Sequence, residues 1–410
     1  MPTSDSQPIP NGEDAFLERI YSVLSDGEVE DLPALLARRE EELGITETQA
    51  WKILGFSSAN QLRRLKNGET KKIDALTLVK LSNYLNLGVD GLARVIVSNM
   101  TPSEIAEIEK TRARHFVAKH FYVKGLKEIG FISDHNDLDA VAERITWFFR
   151  LRSVFDYNAQ LAAPLFMQRR MSFRDEMRAF WVEAVRYQFE RHPNPFPFDR
   201  EQLMGLLPQI RQYSQHESTG LLTVARALFR AGITVIAQPY AAGTAVHGAT
   251  FVVDGRPCIV LTDLGKKYPA LWFSLLHELA HVLYDWDQLT RVVFHLSGEA
   301  DTMLVEDRAN YVARELLLPE EKLNYIANHL DNPHLVKSYA AENDIHPSLI
   351  YWLYARREYE RTGDGKWFAI YSKHIKVDPS RAIRAISCYP WDKEDVDSDM
   401  ENVIRQLASA

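Results

Sequence analysis

The pentapeptide His277-Glu278-Leu279-Ala280-His281, set within LWFSLLHELAHVLYDW, constrains this chain more than any other feature. Leu275, Leu276, Leu279, Val282 and Leu283 make that segment a helix apolar around most of its circumference, one that has to enter a core. Imidazoles spaced i, i+4 share one face about 5–6 Å apart, and half-buried they require polar partners. A single metal ion satisfies both; zinc accepts nitrogen at roughly 2.0–2.1 Å and, in catalytic sites, keeps one position for water. Glu278 would stand beside that ion without binding it, where a carboxylate suits the role of general base. The apolar run PCIVL precedes the helix and predicts a strand whose edge could pair with an extended peptide.

A third ligand is needed, and His295, Glu299, Asp301, Glu306 and Asp307 are the candidates downstream. Glu306 is the best placed. It opens the amphipathic helix VEDRANYVARELLLP, in which Ala309, Asn310 and Ala313 share its face and let the helix come close to the metal helix. An acidic residue in a first helical turn is also favoured by the helix dipole, which is compatible with coordination. His295 suits either a surface loop or a transition-state donor.

Around this centre the spacing predicts a helix, LLTVARALFRAG, stopped by Gly232, and then three strands in ITVIAQ, GATFVVDG and RPCIVLTD. Further helices follow in LVKSYAAEN and HPSLIYWLYARREYERTG, with KWFAIYS expected as a strand. At the other end, Leu32, Leu35, Leu36 and Leu43 form an apolar stripe, and Thr46 N-caps a helix that ends at Gly55. A helix in SSANQLRRL runs to Asn67-Gly68, and a last one carries Leu76, Val79, Leu81 and Leu85. This is the plan of a helix-turn-helix domain. Thr101 to Arg191 reads as helical and aromatic-rich, and the prolines of HPNPFPFD interrupt it. The expected fold is α+β. A mobile tail spans 1–30, an all-α helix-turn-helix domain 31–100, a helical connector 101–200, a zincin-like metallopeptidase domain with a small sheet 201–350, and a helical or mixed extension 351–410.

Composition removes several alternatives. Two cysteines, Cys258 and Cys388, are too few for a disulfide framework or a thiolate metal site. A net charge of −8 argues against general affinity for polyanions. No run of eighteen apolar residues is present and the N-terminus lacks a signal-peptide pattern, so a cytoplasmic protein without membrane contact is expected.

LWFSLLHELAHVL followed by VEDRANYVARELLLP resembles the ImmA/IrrE family of metallopeptidases. Glu306, Ala309, Asn310, Ala313, Leu316, Leu317 and Pro319 fill that family's second-helix pattern, with Val312 where Phe is usual. Thr262 stands where the family often has Asn, a departure that concerns substrate positioning more than metal binding. The resemblance is close over about residues 205–350, where YAAENDIHPSLIYW is similar to long family members; His346 there fits a turn before proline. It implies Zn2+ held by His277, His281 and Glu306, with Glu278 as catalytic base. It further implies a regulatory peptidase that cuts one chosen protein partner, such as a repressor encoded nearby.

GITETQAWKILGFSSANQLRRLKNGETKKIDALTLVKLSNYLNL, residues 44–87, resembles Cro/repressor-type (XRE) helix-turn-helix domains, with DNA contact expected through residues 46–72. Ser58, Asn60, Gln61 and Arg64 are polar enough to reach bases or phosphates, and Arg63, Lys66, Lys71 and Lys72 add positive charge. DNA is therefore an expected partner, and homodimerisation fits such a domain. The competing expectation is a HigA-like antitoxin and repressor that neutralises a cognate toxin by contact, with the peptidase fold as a docking scaffold.

Overall fold

The computed structural model describes residues 30–409 apart from 71, 99, 158–172, 239, 242–243, 245, 291–294, 297–302 and 389–394. The tail at 1–29 lies outside the described residues, as do Lys71, Glu299 and Asp301. The chain forms two compact units that divide between Arg112 and Ala113.

The first unit holds helices α1 (Leu32–Leu43), α2 (Glu47–Ile53), α3 (Ala59–Lys66), α4 (Ala75–Leu85) and α5 (Val89–Ser98). Thr46 starts α2 with a reciprocal cap: its hydroxyl accepts from Gln49 N, and the Gln49 side chain accepts from Thr46 N. Asp31 and Asp74 cap α1 and α4 in the simpler way. Leu32, Leu35, Leu36, Ala50, Leu54, Leu62, Leu65, Leu81 and Leu85 pack into one core. Leu43, Ile53, Leu76 and Val79 extend the apolar pattern but are exposed. At 100° per residue, positions 76 and 79 of α4 fall opposite Leu81 and Leu85, so only one pair can face the core.

The second unit begins within α6 (Pro102–His120) and continues through α7 (Val123–Glu128), α8 (Leu138–Phe148), α9 (Phe173–Arg191), α10 (Arg200–Leu206) and α11 (Gly220–Arg230). Phe121, Phe131, Phe148, Phe149 and Phe180 stack edge-to-face among these helices. Their core is continuous with the one beneath the sheet.

That sheet comprises β1 (Thr234–Ala237), β2 (Gly248–Val253), β3 (Arg256–Leu261) and the two-residue β4 (His295–Leu296), in the order β1-β3-β2-β4. β1 runs parallel to β3, and β2 is antiparallel to both β3 and β4. Asp254 and Gly255 turn the β2–β3 hairpin with φ of 49° and 73°, the conformation that an Asp-Gly pair adopts most readily. Helix α12 (Tyr268–Tyr284) crosses the sheet and is followed by α13 (Trp286–Leu289). Helix α14 (Met303–Leu317) packs along α12. The remaining helices are α15 (Glu320–Ala327), α16 (Pro333–Glu342), α17 (Pro347–Thr362), α18 (Lys366–Ile370), α19 (Ser372–Ile375), α20 (Ser380–Ile383) and α21 (Ser398–Ala408).

KWFAIYS is helical, contrary to the strand expected from its aromatic composition. Trp367 and Tyr371, four residues apart, stack at 5.9 Å, and both rings meet Tyr354 of α17. Packing at helical spacing against α17 overrides the intrinsic strand preference of aromatics. The fold is α+β, with one small sheet among many helices in the described residues. Among the described residues no helix is long and apolar enough to cross a membrane.

Candidate metal centre

Helix α12 carries His277, Glu278 and His281 into the interior, each 3% exposed or less. Glu306 reaches the same place from the first turn of α14. One ligand atom from each of His277, His281 and Glu306 lies within 4.8 Å of the others. The two Nε2 atoms are 3.0 Å apart, and Glu306 oxygens stand 3.4 Å from His277 Nε2 and 3.3 Å from His281 Nε2. Donors placed tetrahedrally about zinc at 2.0–2.1 Å would be about 3.3 Å apart, so the set fits that ion.

The other ring nitrogens fix which face of each imidazole is available. His281 Nδ1 donates to Asp285 Oδ2 at 2.8 Å, and Asp285 is itself held by Arg308. His277 Nδ1 lies 3.1 Å from Asn310 Oδ1, which also accepts from Arg356 Nη2 at 3.0 Å. In a metal-binding form both Nε2 lone pairs would thereby be directed at the shared point. Burial alone would lower the pKa of His281, but hydrogen bonds to Asp285 and Glu306, with the charge of Glu278, outweigh it and raise the value to about 9.

Glu278 is fully buried, and its Oε2 accepts from Thr250 Oγ1 of β2 at 2.6 Å. Gly248, on the same face of β2, leaves room for Oε1: a Cβ there would stand 2.6 Å from that oxygen. A cleft of about 430 Å³ opens on His277 and Glu306, walled by Phe273, Trp352, Phe368 and Arg356 among others. A larger hollow of about 920 Å³ includes Asp285 and Arg308 but none of the three donors.

Of the other third-ligand candidates, Asp307 is exposed and stands outside the donor group. β4 pairs His295 with Thr250, but the His295 side chain is outside the described residues. His346 caps α17 and contacts Glu217 at 3.3 Å, away from the donor set. Thr262 is buried and donates to Val246 O at 2.7 Å, holding the loop that leads into β2.

Sequence reasoning did not single out Asp285, Thr250 or Arg356. Asp285 had a signal, because 277, 281 and 285 continue one i, i+4 row. Thr250 and Arg356 reach the site from distant elements and had none.

In the first unit, Ser58, Asn60, Gln61, Arg63 and Arg64 are exposed on or next to α3, and Lys66 is half-buried. Arg63 is paired with Glu47 at 2.7 Å and Lys66 with Glu40 at 2.6 Å. Gln61 Oε1 accepts from Ser57 N.

Residues 230–342 match the family model for the IrrE N-terminal-like domain, Peptidase_M78. That interval runs from the end of α11 to the end of α16 and contains the sheet, both helices of the candidate site and all three candidate ligands, so this segment is similar to the ImmA/IrrE family. No curated protein and no solved structure matches the chain.

Proposed function

We propose that this chain is a zinc-dependent metalloendopeptidase that regulates by cutting a specific protein partner, such as a repressor, and is coupled to DNA through its first unit. The observation that carries this reading is the convergence of His277, His281 and Glu306 with Glu278 buried beside them over Gly248. Zinc held by those three residues supplies Lewis acidity toward water and a peptide carbonyl. Glu278 accepts the proton of the attacking water and delivers it to the leaving nitrogen, while Thr250 orients its carboxylate by donating to one oxygen. The walls of the cleft position the peptide and exclude bulk water.

For the first unit, DNA contact rests on Ser58, Asn60 and Arg64, since Arg63 and Lys66 are already paired with acidic side chains. The same pairing favours the second reading, an antitoxin-like protein that acts by contact, because it leaves α3 less basic than its sequence suggests.

The test compares wild type, His277→Ala and Glu278→Gln. About one zinc per chain is expected by mass spectrometry in wild type and Glu278→Gln, and its loss in His277→Ala. In cells, new protein N-termini should appear with wild type alone. Cleavage by Glu278→Gln would remove the assigned base, and partner neutralisation that survives in His277→Ala would establish the contact reading instead.

A further inference from the structure

We propose that Arg356 is a positioning residue of the metal centre: it fixes the orientation of the Asn310 amide and, through it, the tautomer of His277. This rests on the reading of His277 as a metal ligand. Arg356 lies on α17, outside the interval that matches the peptidase family model.

An asparagine amide presents an acceptor at one end and a donor at the other, and either end could face a histidine. A guanidinium only donates and stays charged at any ordinary pH. Arg356 Nη2 lies 3.0 Å from the amide atom that also faces His277 Nδ1 at 3.1 Å. Arg356 can only donate, so the amide atom it meets has to be the carbonyl oxygen, and an oxygen can only accept from His277. His277 Nδ1 therefore carries the hydrogen, and the Nε2 lone pair points toward His281 and Glu306. With the amide reversed, Nδ2 would donate to His277 Nδ1 and drive the hydrogen to Nε2, blocking the atom the metal needs.

Arg356 is itself held from several sides. Its Nε donates to Glu360 at 2.8 Å, Glu360 also pairs with Arg314, and the guanidinium lies over Phe273 at 4.1 Å and Trp352 at 5.3 Å. A group pinned this way can impose an orientation on its neighbour. Coulomb's law alone gives the opposite sign: a cation close to a dication weakens metal binding, and its removal should strengthen it. The direction of the change thus separates orientation from charge.

The experiment measures zinc affinity by chelator competition on the full chain for wild type, Arg356→Met, Arg356→Lys, Asn310→Asp and the Asn310→Asp/Arg356→Met double variant. Thermal unfolding and circular dichroism check that each is folded. Wild-type binding comes first; if it takes up no zinc, the metal reading itself fails. Given binding, Arg356→Met should weaken affinity about 10–100-fold, the usual range for partners of a metal's ligands, and Arg356→Lys should recover most of it. A carboxylate at 310 accepts at either oxygen and needs no selection, so Arg356→Met should change affinity less than threefold in the Asn310→Asp background. Unchanged or tighter zinc binding in Arg356→Met, or the same loss in both backgrounds, would overturn the proposal. Nitrogen chemical shifts of His277 in metal-free wild type supply a measurement independent of any variant: hydrogen on Nδ1, with or without one on Nε2, supports it, and a bare Nδ1 with hydrogen on Nε2 refutes it.

Discussion

At Gly248 the space for one methyl group decides whether the Glu278 carboxylate fits against β2. Glu278 occupies the volume a side chain would take, and Thr250 on the same strand holds the other carboxylate oxygen. Gly248→Ala should destabilise the protein by about 1–3 kcal/mol through overpacking, read by denaturant unfolding, and should leave zinc stoichiometry at wild type because no donor is touched. Loss of zinc in that variant would mean that Glu278 and the donors move together. The donor residues were legible from sequence because each signal was local: His277 and His281 on one face, and Glu306 opening a helix with small residues along its inner side. Their supports were legible only in part. Asn310 stood out as a small residue that permits close approach, whereas in the structure its amide bonds His277. No local pattern announces that Arg356 returns to the same amide from another helix.

Among the elements, α12 is buried along most of its length, apart from Ala270, Ser274 and the exposed Tyr284, and its two faces differ. The histidines meet α14, while Leu279, two residues from each, lies on the opposite side and is fully buried. Leu279→Ala should cost about 2–5 kcal/mol of stability while the chain still binds about one zinc, measured by thermal unfolding and metal analysis. The strands and α12 were readable because β-branched runs were flanked by Gly, Pro and Asp and the apolar run around HELAH was long. KWFAIYS was not, because aromatics favour strands in general but here pack at helical spacing on α17. The division between Arg112 and Ala113 likewise had no mark in sequence, since it falls inside the continuous helix α6.

On the scale of the whole second unit, Asp397 joins distant parts of the chain. Arg150, Arg191 and His192 converge on its carboxylate next to the first residue of α21. The hydrogen bond from Arg191 is the main cause that lowers its pKa from 3.8 to about 2, with His192 and the neighbouring charges adding to it. A lowered value means stability present above pH 4 and lost as pH falls through 2. The ordinary linkage gives about 2 kcal/mol for such a shift. Wild type should therefore lose about that much more stability between pH 4 and pH 2 than Asp397→Asn, compared by denaturant midpoints along the pH series. Equal slopes would show that the carboxylate contributes nothing to acid resistance.

His281 and Glu306 are separated by 25 positions yet end 3.3 Å apart. A cation gripping both would staple that stretch of chain into a closed ring, and a cross-link over such a span removes about 3 kcal/mol of disorder from the unfolded chain. Part of the fold's resistance to unfolding would then reside in the ion itself, and a chelator would lower the unfolding temperature as well as empty the site.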